Sequence, residues 1–190
     1  LCALDACSNL GLLEECQKVH SIIIDNGYDE NVEVGNKVIS TYGRCGSLND
    51  AQFVFDKLCP RDIISWNTLL AGYAEQGHGE EVLKYLDKML LEYVTPDDIT
   101  FICALKACSS IQAINIGQDV HAEIERKGLF EGNISIGNSL IDMYVRCGNL
   151  EEAFTVFSKQ HNRDVVSYNA MTSGYVRNNK GFSTLHSHHV

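Results

Sequence analysis

Apolar residues along this chain recur with the period of a helix. Trp66, Leu69, Leu70 and Tyr73 fall at i, i+3, i+4 and i+7, which places them on one helical face. Ser65 is the expected N-cap of that helix, and Gly77 its stop, because glycine tolerates the left-handed conformation in which helices end. Glu80 and Glu81 then open a second helix, at the end where acidic side chains suit the helix dipole. Val82, Leu83, Leu86, Met89 and Leu90 carry its apolar face, and Pro96 closes the pair. The same alternation predicts a helix through Val38, Ile39 and Tyr42, followed by one through Ala51, Val54, Phe55 and Leu58.

These helix pairs repeat. Cys2-Ala3-Leu4-Asp5-Ala6-Cys7-Ser8 returns as Cys103-Ala104-Leu105-Lys106-Ala107-Cys108-Ser109. Tyr42-Gly43-Arg44-Cys45-Gly46 returns as Tyr144-Val145-Arg146-Cys147-Gly148, and Ser65-Trp66-Asn67 as Ser167-Tyr168-Asn169. The long period divides into units 1–31 (partial), 32–62, 63–97, 98–133, 134–164 and 165–181 (partial), with a tail over 182–190 that lacks the apolar face of a further helix. A hairpin of this size buries too little surface to fold alone, so neighbouring units must stack. The expected fold is all-α: an α-solenoid of helix-turn-helix hairpins, each of about 31 to 36 residues.

Charge alters the picture. Lys and Arg number 15 against 25 Asp and Glu, a net charge of −10. Nucleic-acid binders usually carry a basic excess, because phosphate neutralisation supplies most of their non-specific affinity. Any such role here must rest on local geometry. The eight cysteines fall in repeat register rather than in a disulfide framework, and among apolar neighbours they are expected to be reduced, packed thiols. No apolar run approaches the ~18 residues of a membrane span. The start, Leu1-Cys2-Ala3-Leu4-Asp5, shows no targeting pattern and reads as the interior of a longer chain.

Catalytic signals are weak. His121-Ala122-Glu123 matches half of a zinc-deaminase signature, but the Pro-Cys-x-x-Cys half is absent, and the repeat counterpart His20 is followed by Ser21-Ile22. His121 is therefore expected to be a packed helix residue. His186, His188 and His189 read as a terminal tail rather than a chelating cluster, and Asn133-Ile134-Ser135 as a chance glycosylation triplet. No enzyme activity, cofactor, metal or small-molecule substrate is expected.

The stretches Val34-Gly35-Asn36, Tyr42 through Gly46, Asp62 through Tyr73, and Leu105-Lys106-Ala107-Cys108-Ser109 with Gly117 through His121 carry a resemblance. The chain resembles plant pentatricopeptide repeat proteins of the subclass that alternates standard, long and short motifs, in fragmentary or truncated form. That resemblance implies binding to single-stranded RNA at roughly one base per unit. It implies that each base is read by an Asn near the start of a first helix, paired with the last residue of the unit. Here those pairs are Asn36 with Asp62, Asn67 with Asp97, and Asn138 with Asp164, while Asn169 lacks its partner. It further implies an aliphatic side chain that sandwiches the base, a role Ile64 and Val166 suit and Glu33 and Ser135 do not. An Asn and Asp pair implies uracil, giving U-U-N-U, with Ile102 and Asn133 of the long unit unable to read in the same way.

From the residues alone, each Asp could equally be a turn residue preceding a helix. By resemblance, the setting is an organelle, mitochondrion or plastid with the mitochondrion favoured, where the array guides RNA processing or C-to-U editing alongside editing-factor proteins. The competing expectations are a protein-binding scaffold, which the acidity favours, and a truncated product without function. The last would leave Tyr168, Met171 and Tyr175 uncovered.

Overall fold

The structure, a computed structural model, describes residues 1–186, with side chains through Arg177. All regular structure among the described residues is helical. The helices pair as α1 (Cys2–Leu10) with α2 (Leu13–Asp25), α3 (Val32–Arg44) with α4 (Leu48–Lys57), and α5 (Ile63–Glu75) with α6 (Gly79–Leu91). They continue with α7 (Asp98–Ile111), α8 (Ile114–Arg126), α9 (Ile134–Arg146), α10 (Leu150–Lys159) and α11 (Val165–His186). The chain forms two compact units that meet at Cys103 and Ala104, within α7.

In the first unit the leading helices α1, α3 and α5 pack side by side, each covered by its following helix. The apolar faces read from the sequence supply the core: Trp66, Leu70 and Phe55 are fully buried, and Val38, Ile39, Leu69 and Ala51 nearly so. Phe55 meets Trp66 edge-on at 4.8 Å between ring centroids, an arrangement that suits the quadrupoles of both rings. The Arg61 guanidinium lies over both rings and is held there by Glu92 at 3.1 Å. At the end of α5, Gly77 takes φ 78°, and the His78 amide returns to the Tyr73 carbonyl at 3.0 Å.

In the second unit α9 packs on both α10 and α11. Ile136, Leu140, Ile141, Ala153 and Val156 form its interior.

Four expectations change. Asp62, not Ser65, is the N-cap of α5, and Ser65 is the third helical residue of a capping box. The buried face of α6 runs through Val82, Tyr85 and Met89, whereas Leu90 is exposed, because it lies about 100° round the helix from Met89. Met171 is buried, while Tyr168 and Tyr175 are about half exposed. Helix α11 continues past 181 to His186, so no break in the backbone marks the expected start of the tail. Residues 187–190, and with them His188 and His189, lie outside the described residues, as does the side chain of His186.

Candidate functional site

The last residue of each repeat caps the first helix of the next. Asn31 accepts from the Val34 amide at 3.0 Å, Asp62 from Ser65 at 2.8 Å, and Asp97 from Thr100 at 2.9 Å. In the second unit Asn133 accepts from Ile136 at 3.2 Å and Asp164 from Ser167 at 2.9 Å. A short side chain carrying an acceptor is what the orphan amides of a helix start require.

The three Asp residues have a second partner. Asn36 Nδ2 donates to Asp62 Oδ1 at 3.3 Å, and Asn67 Nδ2 to both Asp97 oxygens at 2.9 Å. Asn138 Nδ2 donates to Asp164 Oδ1 at 3.1 Å. The two readings left open by the sequence, turn residue or amide partner, therefore coincide in one carboxylate. It can serve both because an ionised carboxylate offers about four lone-pair sites. Burial acts to raise the Asp62 carboxyl, but the donors from Ser65 and Asn36 together outweigh it and hold the group below its ordinary value. Asp164 is likewise lowered, first by the Ser167 amide and then by Asn138 and the Ser167 hydroxyl.

A hydroxyl completes each cluster. Ser65, Thr100 and Ser167 stand three residues after the capping Asp, and each Oγ takes the Asp backbone N–H at 3.3 Å. Thr100 Oγ1 donates to Asn67 Oδ1 at 2.6 Å, and Ser167 Oγ to Asn138 Oδ1 at 2.6 Å. All three hydroxyls also contact Oδ1 of their own Asp, at 2.8 Å for Ser65, 2.9 Å for Thr100 and 3.0 Å for Ser167, but Ser65 has no amide contact and Asn36 Oδ1 is buried without a partner. These hydroxyls were not singled out from the sequence as amide partners. The spacing that signals a capping box was the available clue.

Asn36 and Asn67 are only 9% and 7% exposed, and Asn138 is half-buried. In the first unit Asn67 and Asp97 nonetheless line a surface cavity of about 330 Å³, together with Arg44, Gly72, Ile64 and Ile99. Ile64 and Ile99 are 59% and 50% exposed. Ile64, expected as the aliphatic residue beside a base, is accessible here. Ile99, second in its own unit as Ile64 is in its, lines the same cavity and was not singled out from the sequence. In the second unit Val166 is similarly exposed, as are Ser135 and Asn169. Glu33 of the first unit is exposed too.

His121 Nδ1 lies 2.9 Å from the Tyr144 hydroxyl, with its ring half-buried, and burial lowers its basicity. No group of three or more His, Cys, Asp or Glu residues converges to hold a metal among the described residues. None of the eight cysteines is in a disulfide. Cys7, Cys16, Cys103 and Cys108 are packed as expected, but Cys2 and Cys59 are exposed.

A PPR repeat family model matches residues 61–110, and a PPR repeat model matches 138–159 and 166–183. The matched stretches are pentatricopeptide repeats. The chain is 37% identical over 175 residues to a chloroplastic pentatricopeptide repeat-containing protein of Arabidopsis thaliana, covering 92% of this chain and 28% of that protein. A second chloroplastic relative from the same plant is 40% identical over 166 residues, covering 87% and 19%. The pentatricopeptide repeat protein PPR10, solved in complex with an 18-nt psaJ RNA element, superposes with a TM-score of 0.71 at 21% identity, covering 92% of this chain and 27% of that one. The structure of PPR10 from maize gives the same score over 88% and 24%. The likeness shows a shared α-solenoid fold of helical repeats. The chain spans only 19% to 28% of the length of these proteins.

Proposed function

We propose that this chain is a single-stranded RNA-binding segment that reads bases with its Asn and Asp pairs. Its units follow the order long (1–31), short (32–62), standard (63–97), long (98–133), short (134–164) and standard (165–181). The observation that carries the reading is the same Asn–Asp contact at three in-register positions. PPR10, with the same fold, was solved on RNA.

Each Asn amide gives one N–H to the carboxylate and keeps another N–H and a carbonyl lone pair for a ligand. That pattern is complementary to the N3–H and O4 of uracil. The aliphatic walls at Ile64 and Ile99 suit a flat base, and stacking or recognition contributes ~1–3 kcal/mol per base. Three such sites gain roughly 3–9 kcal/mol against an association cost of about 4 kcal/mol or more, so this segment alone binds weakly.

The resulting preference is U-U-N-U. The gap falls at unit 98–133, where half-buried Ile102 has no hydrogen-bonding side chain and Asn133 caps α9. The biological role in this reading is sequence recognition in organellar RNA processing, including C-to-U editing, with editing-factor proteins as partners. Several relatives are named chloroplastic, which supports an organelle and gives no reason to favour the mitochondrion.

Titration of the chain at low salt with U-U-N-U and G-G-N-G oligonucleotides tests the proposal. Tighter binding of the first is expected, and equal affinity overturns base reading. The net charge of −10 and the exposed Leu90, Leu91 and Tyr93 at the end of α6 favour a protein-binding scaffold instead. Affinity for RNA falls steeply with added salt, whereas an apolar protein contact holds.

A further inference from the structure

The three amide sites are not equivalent, and the difference lies in a residue that touches no base. At Asn67 the amide is held from both sides: its nitrogen faces the Asp97 carboxylate at 2.9 Å, and its oxygen takes the Thr100 hydroxyl at 2.6 Å. At Asn138 the same bracket is made by Asp164 at 3.1 Å and Ser167 at 2.6 Å. At Asn36 the bracket is open, with the nitrogen 3.3 Å from Asp62 and the oxygen buried and unpartnered. All three hydroxyls contact Oδ1 of their own capping Asp, at 2.8, 2.9 and 3.0 Å, but only those of Thr100 and Ser167 also reach an amide oxygen.

We infer that Thr100 and Ser167 are positioning residues that set how strongly Asn67 and Asn138 discriminate a base, each acting from the unit that follows the one it serves. The inference rests on the base-reading proposal above. Both hydroxyls are fully buried, so they reach the ligand only through the amide.

An Asn side chain has a broad two-fold torsion at its amide. A ligand that requires one amide geometry therefore binds better when that geometry is already populated. The carboxylate, an acceptor only, fixes which end of the amide is nitrogen. The hydroxyl donates to the other end and fixes its position, and hydrogen bonds in such a chain polarise one another. One lone pair of the Asn oxygen and one N–H remain for the base. The bond from the Thr100 backbone amide to Asp97 Oδ1 survives loss of the hydroxyl, whereas the hydroxyl's own contacts with the Asp97 N–H and Oδ1 do not, so Ser65→Ala, which removes the same cap contacts, is the control.

The experiment compares binding of the whole chain to oligonucleotides in which a single nucleotide is either uridine or an abasic residue. The ratio of the two affinities isolates the base contact at that position. Thr100→Val, which keeps shape and the backbone bond of the cap, is expected to lower the ratio at the Asn67 nucleotide by about 3- to 10-fold, the effect of one net hydrogen bond. The ratio at the Asn138 nucleotide stays at the wild-type value. Ser167→Ala does the converse, Thr100→Ser restores the wild-type ratio, and Thr100→Val adds nothing in an Asn67→Ala background. Ser65→Ala, which removes the same capping-box hydroxyl without an amide contact, leaves the Asn36 ratio unchanged.

A wild-type ratio in Thr100→Val overturns the inference and leaves base reading intact. An equal loss at Asn36 in Ser65→Ala also overturns it, since the hydroxyl would then act through the cap. A wild-type chain that shows no preference for uridine over the abasic nucleotide at any of the three positions overturns base reading itself.

Discussion

Asn67 donates its side-chain N–H to both carboxylate oxygens of Asp97, at 2.9 Å each, across 30 residues of sequence. The same carboxylate caps α7 through the Thr100 amide. A single residue thus ends one repeat, starts the next helix and orients the amide of the repeat it closes. Asp97→Ala is expected to cost about 1–2 kcal/mol through loss of the cap, whereas Asp97→Asn, an equally good N-cap, costs a few tenths. Urea denaturation followed by the fluorescence of the single tryptophan, Trp66, measures both, because that ring is fully buried in the same unit. Equal losses in the two variants would show that the cap is not the main contribution.

Two glycines in equivalent leading helices are expected to respond in opposite directions. A Cβ on Gly137 would collide with the Gln160 amide nitrogen and lie 2.8 Å from its Cδ, and Gln160 is buried. Gly137→Ala should destabilise by about 1–3 kcal/mol, the cost of overpacking. A Cβ on Gly43 meets only the Gly72 Cα at 3.6 Å, an ordinary contact. Gly43→Ala should stabilise by about 0.5–1 kcal/mol, the helix preference of Ala over Gly. Thermal melting of the two variants decides the signs.

Stability should fall on mild acidification. His20 Nδ1 and His121 Nδ1 lie 3.0 and 2.9 Å from the Tyr42 and Tyr144 hydroxyls. Burial pushes the Tyr144 hydroxyl up to about 12, so it stays protonated throughout this range. Burial lowers both imidazoles from 6.5. The unfolded chain then binds more protons than the folded one between 6.5 and the lowered values, so stability is full above pH 6.5 and declines as pH falls through that window. Paired His20→Gln and His121→Gln substitutions should flatten urea midpoints between pH 7 and pH 5. An unchanged slope would place the acid sensitivity elsewhere.

Thiol chemistry should divide the cysteines. Burial raises Cys16 to about 12 and Cys108 to about 11, and both side chains are inaccessible in the folded protein. Reactivity follows the thiolate and its access. Iodoacetamide at pH 8 is expected to modify the exposed Cys2 and Cys59 rapidly, and Cys16 and Cys108 only after unfolding. Mass spectrometry of native and urea-treated protein reads the difference.

The helices were legible because their signals are local. Trp66, Leu69, Leu70 and Tyr73 occupy one face whatever surrounds them, and a left-handed glycine such as Gly77 ends a helix by its own backbone freedom. The capping box was written in the spacing of Asp62 and Ser65 yet misassigned by one turn, since either residue type caps a helix and only the backbone path chooses between them. Leu90 and Tyr85 exchanged places for a related reason. Hydropathy ranks the leucine as the more apolar, but the packing of α6 buries the stripe through Val82, Tyr85 and Met89.

By itself, then, the order of residues determined the repeat, its helical hairpins and the in-register recurrence of Asn with Asp, because periodicity and capping act over a few neighbouring residues. The tertiary structure decided which hydroxyl meets which amide. It brought Thr100 to Asn67 and Ser167 to Asn138, yet left Asn36 Oδ1 without a hydroxyl partner. Contacts that short, between residues about 30 positions apart, depend on how one hairpin settles against the next to within a fraction of an ångström. Nothing in the spacing of identical residue types encodes that difference.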